Sequence, residues 1–266
     1  MKTKKTIGLA LGSGAFRGFS HIGVLKVLEK HHIPIDYLSG SSIGAWVAAH
    51  YAIFKDAQKL EKEILANSRE RWESLVDLTW RGGFISGDKV FALLKKNLHQ
   101  KTFAKLKIPL RIVATDLISG RPVIFKQGDL AQAVRASTSV PLVFKPLAYK
   151  NKLLVDGALS DPVPSGLVKE MGADIVISVN LYNKHEFVKK DFNVLKVMLR
   201  SVRIAVYNLA KISEQTSDIV INLDDSKFIA DDNLKKYLDP ATARKMIAIG
   251  ERATEKVIPQ LKKLLK

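Results

Sequence analysis

Continuous apolar runs alternate with segments of helical period along this chain. Ile7 to Leu11 is an unbroken apolar run that ends at glycine, the pattern of a strand buried on both faces of a parallel sheet. A helical segment follows, with Ile22, Leu25, Val27 and Leu28 on its apolar side, and it stops near His31 ahead of Pro34. Ile35 to Leu38 predicts a short strand and Ile43 to Phe54 an apolar helix. Asp56 to Trp72 is polar and helix-forming. Gly82-Gly83 and Ser86-Gly87 break the chain before a helix reaching about Leu98, with Ser86 or Asp88 as its cap. Leu110 to Thr115 and Pro122 to Phe125 predict strands turned by Ser119-Gly120. Leu130 to Ala136 reads as a helix ended by Ser137 to Pro141. Leu153 to Val155, Asp174 to Leu181 and Asp218 to Leu223 read as further strands, and a helix is expected from near Pro162.

Two late segments have a special character. Val194 to Leu209 is strongly apolar, and Lys196, Arg200, Arg203 and Lys211 form one basic stripe along it. It reads first as a core helix with a solvated edge, and second as an interfacial helix on anionic lipid. Ala241 to Lys266 reads as a helix interrupted at Pro259, with a basic amphipathic end from Leu261. Strands alternating with helices predict an α/β fold with a mostly parallel sheet flanked by helices. No repeat, low-complexity tract or Pro/Ser-rich linker appears. Residues 6–181 are the expected core, and residues 182–266 supply a strand and helices that complete the same domain.

Composition narrows the class. Apolar residues make up 47% of the 266, enough for a substantial core. Lysine and arginine outnumber acids 43 to 26, a net charge of +17 that draws the chain to nucleic acid, anionic lipid or acidic partners. With no cysteine, disulfides and thiol chemistry are excluded, which fits a reducing cytoplasm. Lys2, Lys4 and Lys5 before Thr6 to Leu11 imitate the start of a signal peptide, but Gly12-Ser13-Gly14 and Arg17 break the run, favouring a buried first strand. No apolar run reaches the roughly 18 residues of a membrane span. The expectation is a cytoplasmic protein with peripheral contact at the inner membrane surface through its basic residues.

The chemistry centres on Gly40-Ser41-Ser42-Ile43-Gly44, which fits G-x-S-x-G. That spacing is a nucleophile elbow, a tight strand-to-helix turn with serine at its tip, where side chains two residues to either side would crowd the turn. Gly12-Ser13-Gly14-Ala15-Phe16-Arg17-Gly18 is a small-residue loop between the first strand and helix. Its bare N–H groups make an anion cradle. As a dinucleotide site the loop fails: Arg17 stands where G-x-G-x-x-G needs its third glycine, Asp36 precedes its strand, and no G-x-x-x-x-G-K-[ST] occurs. As an oxyanion hole the loop would serve Ser42; otherwise it is a tight turn for close packing. Asp156, delivered by Leu153 to Val155, has two readings: a functional acid at a strand's carboxyl end, or the start of a turn with Gly157. No histidine is clearly placed to meet Ser42. His185, the one histidine after Asp156, lies in a polar stretch, and His21, His31, His32, His50 and His99 read as surface or helix residues. No histidine pair has metal-ligand spacing, so no metal is expected.

Three motifs in order, Gly12 to Gly18 with His21-Ile22-Gly23-Val24-Leu25, Gly40 to Gly44, and Asp156-Gly157-Ala158, give the chain a resemblance to the patatin-like phospholipases, in particular small bacterial members. It covers about Ile7 to Leu181. The resemblance implies a three-layer α/β sandwich and a Ser–Asp dyad without histidine. Ser42 would be the nucleophile, Asp156 its activator, and the N–H groups of Ser13, Gly14 and Ala15 the oxyanion hole, with Arg17 assisting. Ser13 and Ala15 depart from the all-glycine form of that loop; both are small, and a backbone donor does not depend on its side chain. The implied activity is hydrolysis of a lipid acyl ester through an acyl-serine intermediate, without cofactor or calcium. The alternative is a nucleotide- or polyanion-binding regulatory protein on a related fold without hydrolase activity. Against specific nucleic-acid binding, no recognition motif or aromatic platform is present.

Overall fold

The computed structural model describes residues 5–66, 85–182, 193–223 and 239–266. Gly82-Gly83, His185 and residues 67–72 of the Asp56 to Trp72 segment lie outside them. In chain order the elements are β1 (Ile7–Leu11), α1 (Ser20–Lys30), β2 (Tyr37–Ser41), α2 (Ile43–Phe54), α3 (Ala57–Ala66), α4 (Asp88–Asn97), β3 (Leu110–Asp116) and β4 (Pro122–Phe125). They continue with α5 (Leu130–Ser137), β5 (Leu147–Tyr149), β6 (Lys152–Val155), α6 (Ser165–Glu170), β7 (Ile175–Asn180), α7 (Val194–Ser213), β8 (Ile219–Asn222) and α8 (Pro240–Leu264).

One eight-stranded sheet runs β5-β6-β3-β2-β1-β7-β8, with β4 also paired to β3. The pairs β3–β2, β2–β1, β1–β7 and β7–β8 are parallel, whereas the hairpin strands β4, β5 and β6 are antiparallel. Alternation along the central strands sorts the two faces. Ile7, Leu9 and Leu11 of β1 and Ile175, Ile177 and Val179 of β7 join the main core, which takes in residues of α1, α2, α3, α5 and α8. Ala10 and Val176 point the other way, onto Val168 of α6 and Ala173. A Cβ on Gly8 would sit 2.6 Å from the Val168 Cβ, so β1 passes close under α6 at that position. The result is a three-layer α/β sandwich.

Several elements depart from the sequence expectation. The second strand is Tyr37–Ser41 rather than Ile35 to Leu38, because its register is set by parallel pairing of Leu38 with Leu9 and Leu110, which carries the strand on through Gly40. The strand β5 was not anticipated; three residues are too short for a periodic signal, and its hairpin with β6 makes it. The helix α4 has Gly87 at its N-cap, while the Ser86 hydroxyl accepts from the Asp88 N–H at 3.2 Å. The last helix runs through Pro259 without a break, held by Ile258 and Leu261, buried to either side of it. The core-helix reading of α7 is overturned. Among its described side chains only Val206 and Ala210 are buried, in a small cluster with Tyr182, Val163 and Ala158. Val194, Val197, Met198, Leu199, Val202, Ile204 and Ile212 are exposed among the described residues.

Candidate active site

Ser42 sits between the end of β2 and the start of α2 with φ 54° and ψ −124°, a backbone state costly for any side chain. The neighbouring glycines permit it. A Cβ on Gly44 would lie 2.0 Å from the Leu11 carbonyl oxygen, and one on Gly40 would lie 2.6 Å from the Ala45 Cα. The elbow is thus pressed between β1 and its own helix, and Ser42 stands at the positive end of α2.

The registers on β3 bring the acid there. β2 pairs with β3 up to Ser41 opposite Val113. β6 runs the other way and ends with Val155 opposite Thr115. One residue further along each strand, Ser42 and Asp156 reach the same level of β3, that of Ala114. The Ser42 hydroxyl donates to Asp156 Oδ2 at 2.6 Å. Oδ1 accepts from the Ala158 N–H at 2.8 Å, so the carboxylate caps the next turn as well as meeting the serine. Asp156 backbone atoms are held on two sides: its N–H donates to the Ser139 carbonyl at 3.0 Å, and its carbonyl accepts from the Thr115 hydroxyl at 2.8 Å. Gly157 is confined, since a Cβ there would meet the Val113 carbonyl oxygen at 2.3 Å. Burial raises the Asp156 pKa to about 6, against the lowering pull of the Ser42 and Ala158 hydrogen bonds.

The β1–α1 loop forms the wall beside this pair. Its N–H groups are not equivalent. Gly12 N–H donates to the Val179 carbonyl at 3.1 Å and Ser13 N–H to the Pro162 carbonyl at 2.8 Å. The N–H groups of Gly14 and Ala15 have no such partner among the described residues. Ala15 has φ 56°, the left-handed region, which the all-glycine form of such a loop would reach without strain. Arg17 is buried, its Nε donates to the Gly14 carbonyl at 3.2 Å, and its guanidinium lies 5.6 Å from the Tyr182 ring centroid. Gly18 lies against Ile43 at the start of α2, where a Cβ would come within 2.2 Å of the Ile43 Cγ1.

Residues that sequence reasoning passed over also shape the site. His21 is not an ordinary helix histidine. It is fully buried, its Nε2 is 2.8 Å from the Gly12 carbonyl oxygen, and burial lowers its pKa to about 4, so it is neutral and supports the loop from beneath. The Ser137 hydroxyl accepts from the Ser42 N–H at 2.8 Å. Tyr182 bonds the Ser13 hydroxyl at 2.8 Å. The run Ser137-Thr138-Ser139 was visible only as a helix terminator, and nothing in the pattern around Tyr182 marked it. His31 and His50 face Glu255 and Glu63. Among the described residues, no group of three His, Asp or Glu side chains converges as a metal site.

A serine at a strand–helix elbow, on an open and mostly parallel sheet, places the chain among α/β proteins built round G-x-S-x-G. The family model described as patatin-like phospholipase matches residues 9–168, and the chain belongs to that family. It is 33% identical over 175 residues to an uncharacterized NTE family protein of Mycobacterium tuberculosis, covering 66% of this chain and 49% of that one. It is 29% identical over 181 residues to lysophospholipase NTE1 of Pyricularia oryzae, covering 66% of this chain and 12% of that one. The chain therefore spans about half or less of the length of these relatives. Among solved structures, VipD from Legionella pneumophila superposes with a TM-score of 0.57 over 97% of this chain and 67% of that one, at 14% identity, a likeness of fold alone.

Proposed function

We propose that this protein is a carboxylic-ester hydrolase of phospholipase or lysophospholipase type. It acts on lipids through Ser42 and Asp156 and an acyl-serine intermediate. The observation that carries the reading is the 2.6 Å hydrogen bond from the Ser42 hydroxyl to the buried Asp156 carboxylate at the elbow. Family membership supports the substrate class, and so does the printed name of the lysophospholipase relative.

In this mechanism Asp156 takes the Ser42 proton as Oγ attacks the acyl carbonyl. The N–H groups of Gly14 and Ala15, which the loop leaves available, receive the developing oxyanion; the Ser13 N–H, already bonded to Pro162, does not. Arg17 holds the Gly14 carbonyl and adds positive potential. The alcohol leaves with the proton, and water repeats the sequence on the acyl-enzyme. Purified protein incubated with a mixed lipid extract is expected to release fatty acid and to be labelled by a fluorophosphonate probe. Ser42→Ala abolishes both. Wild-type protein that releases no fatty acid and resists the probe overturns the reading.

The lipid itself is reached, on this reading, by peripheral contact with anionic membrane. No helix among the described residues is long and apolar enough to cross a bilayer. The exposed apolar residues of α7 and the +17 net charge support adsorption from the side. Met198→Glu combined with Leu199→Glu is expected to lower co-sedimentation with anionic vesicles about tenfold or more, since each buried apolar side chain is worth about 1.5–3 kcal/mol. Hydrolysis of a short-chain soluble ester by the same variant stays at the wild-type rate. Equal loss on both substrates would mean that α7 serves the site rather than the surface.

A further inference from the structure

A buried cation lies behind the candidate site, outside every motif so far described. Arg135, in the last turn of α5, is 3% exposed. Among the described residues its guanidinium meets four acceptors. Nε donates to the Gly87 carbonyl at 3.2 Å, and Nη1 to the Ser139 hydroxyl at 2.6 Å. Nη2 donates to the Ser86 carbonyl at 2.9 Å and the Lys145 carbonyl at 3.1 Å. The group also lies 5.3 Å from the Phe144 ring centroid. Gly87, at φ 84°, leaves it room: a Cβ there would fall 2.1 Å from Nη2.

The chain segments so gathered are the ones that hold the reacting pair. Ser137 accepts the backbone N–H of Ser42, and the Ser139 carbonyl accepts the backbone N–H of Asp156. Both anchors stand within four residues of Arg135. The Ser139 hydroxyl also donates back to the Arg135 carbonyl at 2.8 Å, which closes a loop between the two residues. On the far side, Ile85 and Phe144 form an isolated parallel bridge, with Ile85 N–H to Val143 and Lys145 N–H to Ile85 at 2.9 Å each. Arg135 ties that bridge to the end of α5.

We propose that Arg135 is a positioning residue for Ser42 and Asp156. It clamps the Ser86–Gly87 turn and the 139–145 turn against α5, so that Ser137 and Ser139 present their acceptors at a fixed spacing. The inference rests on the hydrolase reading above. The role needs a planar fork with several directed donors. A lysine ammonium at the same place cannot span Gly87, Ser139, Ser86 and Lys145 together. A displacement near 1 Å at the reacting atoms costs about a hundredfold in rate.

The test measures kcat, KM and the pH profile on a soluble ester for wild type, Arg135→Lys and Ser139→Ala. Met246→Ala, on the buried face of α8, serves as a destabilised control on another element. Arg135→Lys is expected to lower kcat about 30–100-fold with KM within about twofold. Its acid limb moves to higher pH, because a longer Ser42–Asp156 hydrogen bond stops lowering the carboxyl pKa. Ser139→Ala, which removes one acceptor and leaves the backbone, shows the same signature at about 3–10-fold and serves if Arg135→Lys does not fold. Met246→Ala changes the melting temperature but neither kcat nor the limb. Active wild type with unchanged kcat and limb in the folded variants overturns the positioning role alone. The role also falls if the control loses kcat as they do. Inactive wild type overturns both this role and the hydrolase reading.

Discussion

Asp156→Asn is expected to cut kcat/KM about 10²–10⁴-fold, the usual worth of a general base, and at the same time to make the protein more stable at pH 8. Both effects have one origin. The Asp156 carboxyl is buried, and its pKa is raised from an ordinary 3.8 to about 6. A carboxyl harder to ionise in the folded chain than in the unfolded chain favours folding while it is protonated in both states. That contribution is complete below pH 4 and is lost as pH rises from there through about 6. About two pH units correspond to up to about 3 kcal/mol withdrawn at pH 8, which asparagine, always neutral, restores. Thermal unfolding at pH 8 and at pH 3 checks this: the variant gains at pH 8 and gains nothing at pH 3. The wild-type kcat/KM falls as pH drops through about 6, since the base must be ionised to accept the Ser42 proton. A variant with near-normal esterase activity would remove Asp156 from the mechanism.

Gly44→Ala is the second large effect, and it acts on the fold. A methyl group at Gly44 would press on backbone: the Leu11 carbonyl oxygen at 2.0 Å, the Leu11 carbonyl carbon at 2.6 Å and the Gly12 oxygen at 2.7 Å. None of these atoms belongs to a flexible side chain that could turn aside. Relief requires the end of β1 and the adjoining loop to separate from α2. The cost is about 3 kcal/mol or more, lowering Tm by about 6–12 °C for a chain of this size. The same substitution at Gly166 in α6, where a Cβ would meet nothing within 4 Å, is expected to stabilise by about 0.5–1 kcal/mol. Parallel thermal melts of the two variants decide it. Equal melting temperatures would mean that the elbow is not pressed against β1. Activity in Gly44→Ala falls with stability, because the displaced atoms include the loop beside Ser42.

Much of this architecture was legible without coordinates. The apolar run Ile7 to Leu11 is a strand buried on both faces, and Asp174 to Leu181 contains the buried strand Ile175–Asn180; both runs show directly in the residues. The elbow pentapeptide is equally local, since glycine, serine and glycine at that spacing describe a turn whose sterics depend on a few neighbouring atoms. The helix α7 failed for the opposite reason. Its pattern is apolar on most sides, which suits a core, but where a helix lies is decided by the surface available to receive it, and among the described residues that surface buries Val206 and Ala210 while Tyr207 packs beside them. His21 read as a surface or helix histidine, and nothing in the helical segment Leu130 to Ala136 marked Arg135. Their burial follows from α1 and α5 packing against the rest of the chain, which no local window records.

The chain by itself marked the candidates for chemistry: a serine at a turn flanked by glycines, an acid at a strand end, and a small-residue loop before a helix. Tertiary structure alone decided that Ser42 and Asp156, 114 residues apart, meet at 2.6 Å. It also decided that Ser13 donates its N–H to Pro162, and that Ser137 and Ser139 hold the pair from behind. The physical reason is range. Backbone sterics and hydrophobic period act over a few residues and are written in order along the sequence. The meeting of the two strand tips depends on the register of β2 and β6 on their shared neighbour β3, which the whole sheet sets at once.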